Sequence, residues 1–230
     1  MEYRNELKFQ LTYLEMQKIR YRLENMMAYD QNQDGDFYTV QSLYFDDIYD
    51  SCFYESGSGV DNRKKYRIRI YNGDPGMIHL EKKCKVRGLT KKVTEEISLE
   101  SCRKLVSGNQ SDGGGDLEKE LDYMIQSKKM MPKCIVEYDR CAMVEQVGNV
   151  RITFDMKVRG SVRTAFFPDG KPEGFETGML PGMHILEVKY DELLPEYIRR
   201  TVNLETLQRQ SVSKYVLVRQ KFKGQRSMVI

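Results

Sequence analysis

Several short stretches of this sequence carry charged residues of both signs at alternate positions, where a β-strand would place them on one face. They are RNELKF (residues 4–9), KKYRIRIY (64–71), IHLEKKCK (78–85) and ILEVKYD (185–191). Rows of Arg and Lys bind phosphate oxygens through charge-assisted hydrogen bonds. Carboxylates placed among them can hold a divalent cation, which prefers oxygen ligands and substrate phosphates. The chemistry that suits these residues is therefore the binding of a polyphosphate.

The elements that must position these residues are short strands. Period-2 alternation predicts eight of them, near residues 2–10, 38–46, 63–72, 77–86, 89–98, 133–143, 149–159 and 183–191. Helical patterns fall between and after the strands, at 12–27, 99–108, 116–129, 194–201 and 210–222. Thr12 and Ser98 are predicted N-caps of the first two helices. The expected fold class is α+β.

Two arrangements of the charged faces remain open at this point. In the simpler one, an antiparallel sheet packs its apolar face on helices and turns its charged face to water. However, the long cations cluster as R-x-R, and glutamates stand two residues from lysines, whereas a solvated face usually mixes in Ser, Thr, Asn and Gln. Eight antiparallel strands are also enough to close a barrel. If the apolar face points outward onto the helices, the charged face lines a channel with a focused positive potential.

Composition sets the remaining limits. The chain has 230 residues, 40% of them hydrophobic, and no apolar run of about 18 residues that could span a bilayer. The N-terminus lacks a signal pattern, so we expect a cytoplasmic protein without a membrane segment. Five cysteines without a CxxC pair, and only two histidines, argue against a disulfide framework or a zinc site. The net charge of +3 by itself argues nothing about nucleic acid, and we expect no nucleic-acid partner.

The strand pattern continues across both of the loop-like stretches, 107–116 and 167–182. We therefore expect one domain over residues 1–230. The sequence contains neither a P-loop nor a GxGxxG motif, so ATP would have to be held by its phosphates.

An ordered set of motifs identifies a family. The motifs are E-x-K at Glu6 and Lys8, SLYFDD at 42–47, R-x-R at Arg67 and Arg69, LEKK at 80–83, Lys92, EYDR at 137–140, Arg151, LEVKY at 186–190 and SVSKY at 211–215. In this set the sequence resembles the triphosphate tunnel enzymes and, more closely, the vacuolar transporter chaperone (VTC) domain, a polyphosphate polymerase. Each motif is weak alone, but the ordered set extends from one end of the chain to the other.

The resemblance implies an eight-stranded antiparallel β-barrel tunnel with helices packed outside. It implies an enzyme that transfers the γ-phosphoryl group of ATP to a growing inorganic polyphosphate chain and releases ADP. Such a reaction rests on positioning and charge neutralisation, with little covalent chemistry by the protein. The partners would be ATP and inorganic polyphosphate, and the cofactor Mn²⁺ or Mg²⁺. The oligomeric state is not predicted.

The resemblance also implies the roles of individual residues. The phosphate-binding or catalytic residues would be Lys8, Arg67, Arg69, Lys83, Lys92, Arg140, Arg151 and Lys189. Other substrate contacts would come from Tyr138, Ser213, Lys214 and His79. The metal would be held by Glu187, with Glu6 as a second acidic ligand.

One departure favours one branch of the superfamily. The related CYTH-type triphosphatases carry E-x-E-x-K on the first strand, whereas this chain has R-x-E-x-K because Arg4 occupies the first position. The exchange of a carboxylate for a cation argues against a two-metal hydrolase. Two alternatives stay open: a tripolyphosphate or nucleoside triphosphate hydrolase of the same fold, and a non-catalytic polyphosphate-binding module. Glu6 and Glu187 argue against the binding module, since carboxylates beside phosphate do not help a pure binder.

Overall fold

The computed structural model describes residues 3–33, 35–111, 114–170, 173–203 and 205–226. Its elements are β1 (Asn5–Thr12), α1 (Tyr13–Leu23), β2 (Ala28–Tyr29), β3 (Tyr38–Asp46), α2 (Ser51–Gly57), β4 (Arg63–Tyr71), β5 (Asp74–Val86), β6 (Leu89–Ile97), α3 (Leu99–Ser107), α4 (Asp116–Lys128), β7 (Met131–Glu145), β8 (Val150–Ser161), β9 (Glu176–Thr177), β10 (Met183–Tyr190), α5 (Glu196–Val202) and α6 (Lys214–Arg226). A short 3₁₀ turn, Val147–Asn149, joins β7 to β8.

Eight of the strands form one curved antiparallel sheet in the order β1-β10-β8-β7-β3-β4-β5-β6, and the two-residue strands β2 and β9 pair with β7 and β8. The first and last strands of this order meet near one end. There, the Arg4 N–H donates to the Thr90 carbonyl over 3.0 Å, and the Thr90 N–H donates back over 3.1 Å. Farther along β1, the Gln210 N–H donates to the Lys8 carbonyl over 2.9 Å, so part of the edge of β1 is covered by the chain before α6.

The apolar face of the sheet packs against helices. One cluster of buried side chains joins β1, β8 and β10 to α1 and α5, with Leu11, Met16 and Ile198 among its members. A larger cluster joins β3, β4, β5 and β7 to α2, α3, α4 and α6. Burial of this apolar surface is the main force that holds the helices on the sheet. The opposite, charged face is left to line the concave side.

Local signals explain where two of the helices begin. The Thr12 hydroxyl accepts from the Glu15 N–H, and the Glu15 carboxylate accepts from the Thr12 N–H over 2.8 Å, which makes a capping box. The Ser98 hydroxyl accepts from the Ser101 N–H over 3.0 Å at the start of α3. Both predicted N-caps are confirmed.

The eight predicted strands and five predicted helices are all present, with their ends shifted by a few residues. The mixed α+β class and the eight-stranded, curled antiparallel sheet with helices packed outside are confirmed, and closure of the sheet into a barrel stays a prediction. Helix α2 was not predicted, because its seven residues are too few to show a helical period. In the part of the chain that the structure describes, no helix combines the length and apolar character needed to cross a membrane.

Candidate functional site: a cationic cavity

The concave face of the sheet encloses a cavity of about 1050 Å³. Its described lining includes fourteen Lys or Arg side chains and three carboxylates, those of Glu6, Asp30 and Glu187. All of the residues predicted from the sequence to bind phosphate, substrate or metal lie in this lining: Glu6, Lys8, Arg67, Arg69, His79, Lys83, Lys92, Tyr138, Arg140, Arg151, Glu187, Lys189, Ser213 and Lys214. The sheet therefore brings together residues that are up to 208 positions apart in the sequence, between Glu6 and Lys214.

A first group of cations surrounds one buried carboxylate, and we call it the Glu81 cluster (Glu81, Arg67, Arg69 and Lys92). The Arg67 Nε lies 2.6 Å from Glu81 Oε2, and Lys92 Nζ lies 2.9 Å from Oε1. Arg69 NH1 lies 3.6 Å from Oε2. Burial favours the neutral acid, but the cations outweigh it and hold the pKa of Glu81 well below its usual range. Glu81 is 1% exposed, so it is a fixed counter-charge beneath the cavity wall.

Two arginines of this cluster are also oriented by neutral side chains. The Tyr44 hydroxyl lies 2.9 Å from Arg67 NH1. Ser42 Oγ accepts from Arg69 Nε over 3.1 Å, and the Tyr138 hydroxyl lies 3.3 Å from Arg69 NH2. These contacts come from β3 and β7 and fix the direction of the guanidinium groups, so the wall is ordered before a ligand binds.

A second group lies on β1 and β10, and we call it the Glu6–Glu187 pair. The Lys8 Nζ lies 3.6 Å from an oxygen of each carboxylate, so one ammonium bridges the two acids. Lys83 Nζ lies 2.8 Å from both oxygens of Glu6, and Lys189 Nζ lies 2.6 Å from Glu187 Oε1. Burial opposes ionisation, but the lysines lower the pKa of both carboxyls, that of Glu187 well below its usual range. Both acids are therefore charged at neutral pH.

A third group connects the sheet to the C-terminal helix. Asp155 is fully buried and accepts from Arg140 at both oxygens, over 2.6 and 2.8 Å. The ammonium of Lys214, the first residue of α6, pairs with the same carboxylate. Although burial would raise it, these cations lower the pKa of Asp155 to about 2. Lys214 Nζ also lies 4.7 Å from the centre of the Tyr138 ring.

The docking of α6 explains how Lys214 reaches the cavity. The Tyr215 hydroxyl donates to Asp46 Oδ2 over 2.6 Å, and the Tyr215 ring stacks on Tyr44 at 5.1 Å. The SLYFDD and SVSKY motifs thus meet in space. Asp46 also accepts from the Cys52 and Phe53 N–H groups, so its role is to hold α2 and α6 against the sheet.

Two predicted residues, Arg151 and His79, lie at the end of the cavity that Tyr38 and Tyr71 line, which we call the far end. Arg151 pairs with Asp30, and its NH2 lies 3.3 Å from the Tyr38 hydroxyl. The His79 ring lies edge-on to Tyr71, with 5.9 Å between the ring centres. This end is built from aromatic side chains and from a cation that already has a carboxylate partner.

Sequence reasoning missed several members of the site. Glu81 and Asp155 were seen on the charged face but were given no role. Lys65 was also left out, although it shares the face of Arg67 and lines the cavity. Its Nζ lies 3.1 Å from Ser213 Oγ, and burial together with neighbouring cations lowers the pKa of Lys65 to about 7. The one available signal was its position two residues before Arg67.

The acidic residues of the cavity decide whether it can hold a divalent metal. Within the described residues, no group of three or more His, Cys, Asp or Glu could hold a metal ion. The Glu6–Glu187 pair nevertheless fits Mg²⁺ or Mn²⁺, because Mg²⁺ is usually bound through one or two carboxylates plus substrate phosphates. Both carboxylates are ionised and line the cavity.

Comparison with known families identifies the family to which the chain belongs. Residues 3–223 match the VTC domain, which covers nearly the whole chain. This chain belongs to the VTC domain family. No curated protein matches the chain in sequence.

Solved structures also resemble this VTC domain in fold. The PH1819 protein from Pyrococcus horikoshii OT3 has a TM-score of 0.50 and 16% identity, with 95% of this chain and 99% of that chain covered. The PH1012 protein from the same organism has a TM-score of 0.51 and 12% identity, with 94% and 99% covered. At these identities the likeness shows a shared fold alone.

Proposed function

We propose that this VTC domain is a polyphosphate polymerase. It transfers the γ-phosphoryl group of ATP to the end of an inorganic polyphosphate chain and releases ADP, with Mn²⁺ or Mg²⁺ as cofactor. The observation that carries the proposal is the cavity itself, in which a cationic wall stands beside the Glu6–Glu187 pair. Membership of the VTC domain family supports the same reaction.

The proposed architecture is a single domain, residues 1–230, whose eight strands close as a tunnel. Support for closure comes from the Arg4 to Thr90 hydrogen bonds and from the chain before α6, which bonds to β1 at Lys8. A tunnel open at both ends lets a long polymer pass the reacting phosphate.

The proposed division of labour follows the contacts. The Glu81 cluster, Arg140 and Lys214 bind and orient the phosphates, because their guanidinium and ammonium groups are already held in place. Tyr138 and Ser213 contribute hydrogen bonds, and Arg151 and His79 contact the substrate at the far end. Glu187, with Glu6, would hold the metal, which supplies charge neutralisation at the phosphates when bound.

Lys8, Lys83 and Lys189 would exchange their carboxylate partners for phosphate oxygens when the substrate and the metal bind. Each contacts Glu6 or Glu187. When those carboxylates bind a cation, the three ammonium groups become available to phosphate oxygens. This arrangement neutralises the transferred group from several sides, which is what phosphoryl transfer requires.

Arg4 bears on the alternative hydrolase. Its Nε lies 2.7 Å from Asp191 Oδ1, so it is engaged in an ion pair at the edge of the cavity. The carboxylate that the triphosphatase motif has at this position is replaced by a cation that is itself neutralised. The carboxylate pair therefore suits one metal better than two.

The decisive experiment incubates the purified protein with ATP and Mn²⁺ and measures ADP, free phosphate and long-chain polyphosphate in parallel. We expect ADP and polymer in step. Free phosphate without polymer would assign the chain to the hydrolases. Tight polyphosphate binding without turnover would make it a binding module.

A further inference from the structure

Strands β4 and β5 pair the residues of their charged face in four successive rungs. From one end of the cavity to the other, the rungs are Arg63 with Lys85, Lys65 with Lys83, Arg67 with Glu81, and Arg69 with His79. The first two rungs place like charges directly opposite each other, an arrangement that destabilises a sheet. The third places opposite charges together.

Carboxylate partners are distributed unevenly over these rungs. Arg67 and Arg69 share Glu81, and Lys83 has Glu6. Within the described residues, neither Arg63 nor Lys85 has a carboxylate at ion-pair distance, and Lys65 contacts the Ser213 hydroxyl instead. The unneutralised positive charge therefore increases toward the first rung.

A further cation reaches the same end from the chain before α6. Residue Arg209 forms a β-bridge with Phe9, which holds it against the edge of β1, and its side chain is exposed and lines the cavity. The charges of Arg63 and Arg209 both help to lower the pKa of Lys85, after burial, so the three groups act on one another. We call Arg63, Lys85 and Arg209 the cationic mouth.

The nearest acids do not neutralise this mouth. The Asp61 carboxylate accepts from the Gly88 N–H over 2.7 Å, and Glu6 is held by Lys83. Both raise the pKa of Lys85, but burial and the neighbouring cations leave it lowered. Three cations at one opening thus repel one another in the free protein, and a polyanion would relieve that repulsion.

The opposite end of the cavity differs in kind. Its lining includes Tyr38, Tyr71, Met77 and Asn72, and its cation Arg151 is paired with Asp30. Aromatic, apolar and amide groups provide little attraction for additional phosphates. The two ends of the cavity therefore differ in charge, and the surplus of positive charge lies at the cationic mouth.

We propose that the cationic mouth is a second phosphate-binding site, which holds the part of a polyphosphate chain that extends beyond the phosphates gripped by the Glu81 cluster. The inference rests on the proposed function, and it adds a direction: the polymer extends through the mouth, and the opposite end does not bind it. Short ligands such as tripolyphosphate are held by the inner cations and do not need the mouth.

The test uses the double variant Lys85→Gln with Arg209→Gln. The matched control is Lys64→Gln with Lys91→Gln, which removes two charges at outward-facing positions on β4 and β6, on either side of Cys84. The dissociation constants of tripolyphosphate and of long-chain polyphosphate are measured by calorimetry without ATP, at several salt concentrations. Thermal unfolding checks that both variants fold.

For the mouth variant we expect tripolyphosphate affinity within about twofold of wild type and long-chain affinity about tenfold weaker, as two partly exposed ion pairs would contribute. The slope of log affinity against log salt for the long chain should fall by about 1.4, since each cation contributes about 0.7 on a single-stranded polyanion. The control variant should bind both ligands with wild-type affinity.

The inference would be overturned if the mouth variant bound both ligands equally more weakly, or if the control variant lost as much long-chain affinity as the mouth variant. It would also be overturned if the wild-type protein bound the long chain no better than tripolyphosphate. Turnover is scored separately to distinguish the two failures. If wild type makes no polymer but the mouth variant alone loses long-chain affinity, the polymerase proposal is wrong and the second phosphate-binding site is supported. If polymer is made and the mouth variant keeps full long-chain affinity, the second site is refuted and the polymerase proposal is supported.

Discussion

The Glu81 cluster and the Glu6–Glu187 pair both place carboxylates among cations, yet they differ in position relative to the cavity and in the kind of cation. Glu81 lies beneath the wall and contacts two arginines as well as Lys92, and the guanidinium groups of the arginines stay charged. The Glu6–Glu187 pair lines the cavity and contacts lysines, whose flexible ammonium groups can change partners.

This difference teaches how one cavity can serve both phosphates and a metal. A carboxylate that is sealed under arginines provides permanent counter-charge and holds an anion-binding surface in place. In the proposed function, the carboxylates that line the cavity beside lysines would exchange a lysine for a metal ion. Glu81 and Glu187 are both buried and have pKa values well below the usual range, so what distinguishes them is that only Glu187 lines the cavity.

The largest expected effect is on turnover. Glu187→Ala should abolish phosphoryl transfer, because it removes the proposed main ligand of the metal, and should leave polyphosphate affinity unchanged or higher, because Lys8 and Lys189 lose their partner. Activity is measured as ADP release and affinity by calorimetry. Glu192→Ala, an exposed glutamate just beyond β10, is the matched control. Full activity in Glu187→Ala would remove this residue from the metal site.

The Glu81 cluster should respond in stability instead. Glu81→Gln keeps the shape of the side chain but leaves Arg67 and Arg69 without their counter-charge, so we expect a loss of about 3–5 kcal/mol in the free energy of unfolding. Tripolyphosphate should restore a large part of it by replacing the carboxylate. Urea denaturation with and without the ligand measures both effects. A change as small as that of Glu96→Gln, at an exposed position on β6, would contradict the prediction.

The sequence predicts which residues share the cavity but not which of them pair. Alternation needs no partner strand, so it placed Lys8, Arg67 and Glu187 on the charged face, and all three line the cavity. Pairing depends on register, and the Asn72-Gly73 turn is a strong hairpin signal. A regular hairpin with Tyr71 opposite Asp74 would set Ile78 opposite Arg67. An irregularity between Arg69 and Tyr71 shifts the register and brings Glu81 there instead.

Contacts between segments that are distant in the sequence could not be predicted either. Lys214 enters the cavity because Tyr215 donates to Asp46, 169 positions away in the sequence. Asp155 became visible as a counter-charge only when β8 was paired with β7, where it lies opposite Arg140 across another shift in register. Local patterns contain no information on either contact, so the network of ion pairs had to come from the structure.

Removal of the arginines sharpens the comparison further. Arg67→Ala with Arg69→Ala should weaken tripolyphosphate binding about a hundredfold, at about 1.5 kcal/mol for each charge-assisted hydrogen bond lost. The salt dependence should fall by about 1.4 in slope. This variant leaves the buried Glu81 carboxylate without its arginine partners, so a triple variant that adds Glu81→Gln is the control. If the triple variant regains wild-type affinity, the arginines serve Glu81 and not the ligand.

The last expected effect is a pH dependence of tripolyphosphate binding, which comes from two lysines whose pKa values are lowered in the cavity. Burial and neighbouring cations lower the pKa of Lys65 to about 7, and burial lowers that of Lys83 to about 8 despite Glu6. A bound phosphate favours the ammonium form and raises both values, so binding takes up protons between about pH 7 and pH 9. Affinity for tripolyphosphate should therefore fall across this range, by up to about tenfold per pH unit for each lysine.

The ligand also titrates in this range, and its contribution is the same for every variant. Lys65→Arg keeps its charge throughout, so its affinity should fall less steeply with pH than that of wild type, with the two curves diverging above about pH 7. Dissociation constants at pH 7, 8 and 9 measure the difference. Parallel curves would mean that Lys65 stays charged in the free cavity, and that the like-charged pair Lys65 and Lys83 is neutralised by something other than proton loss.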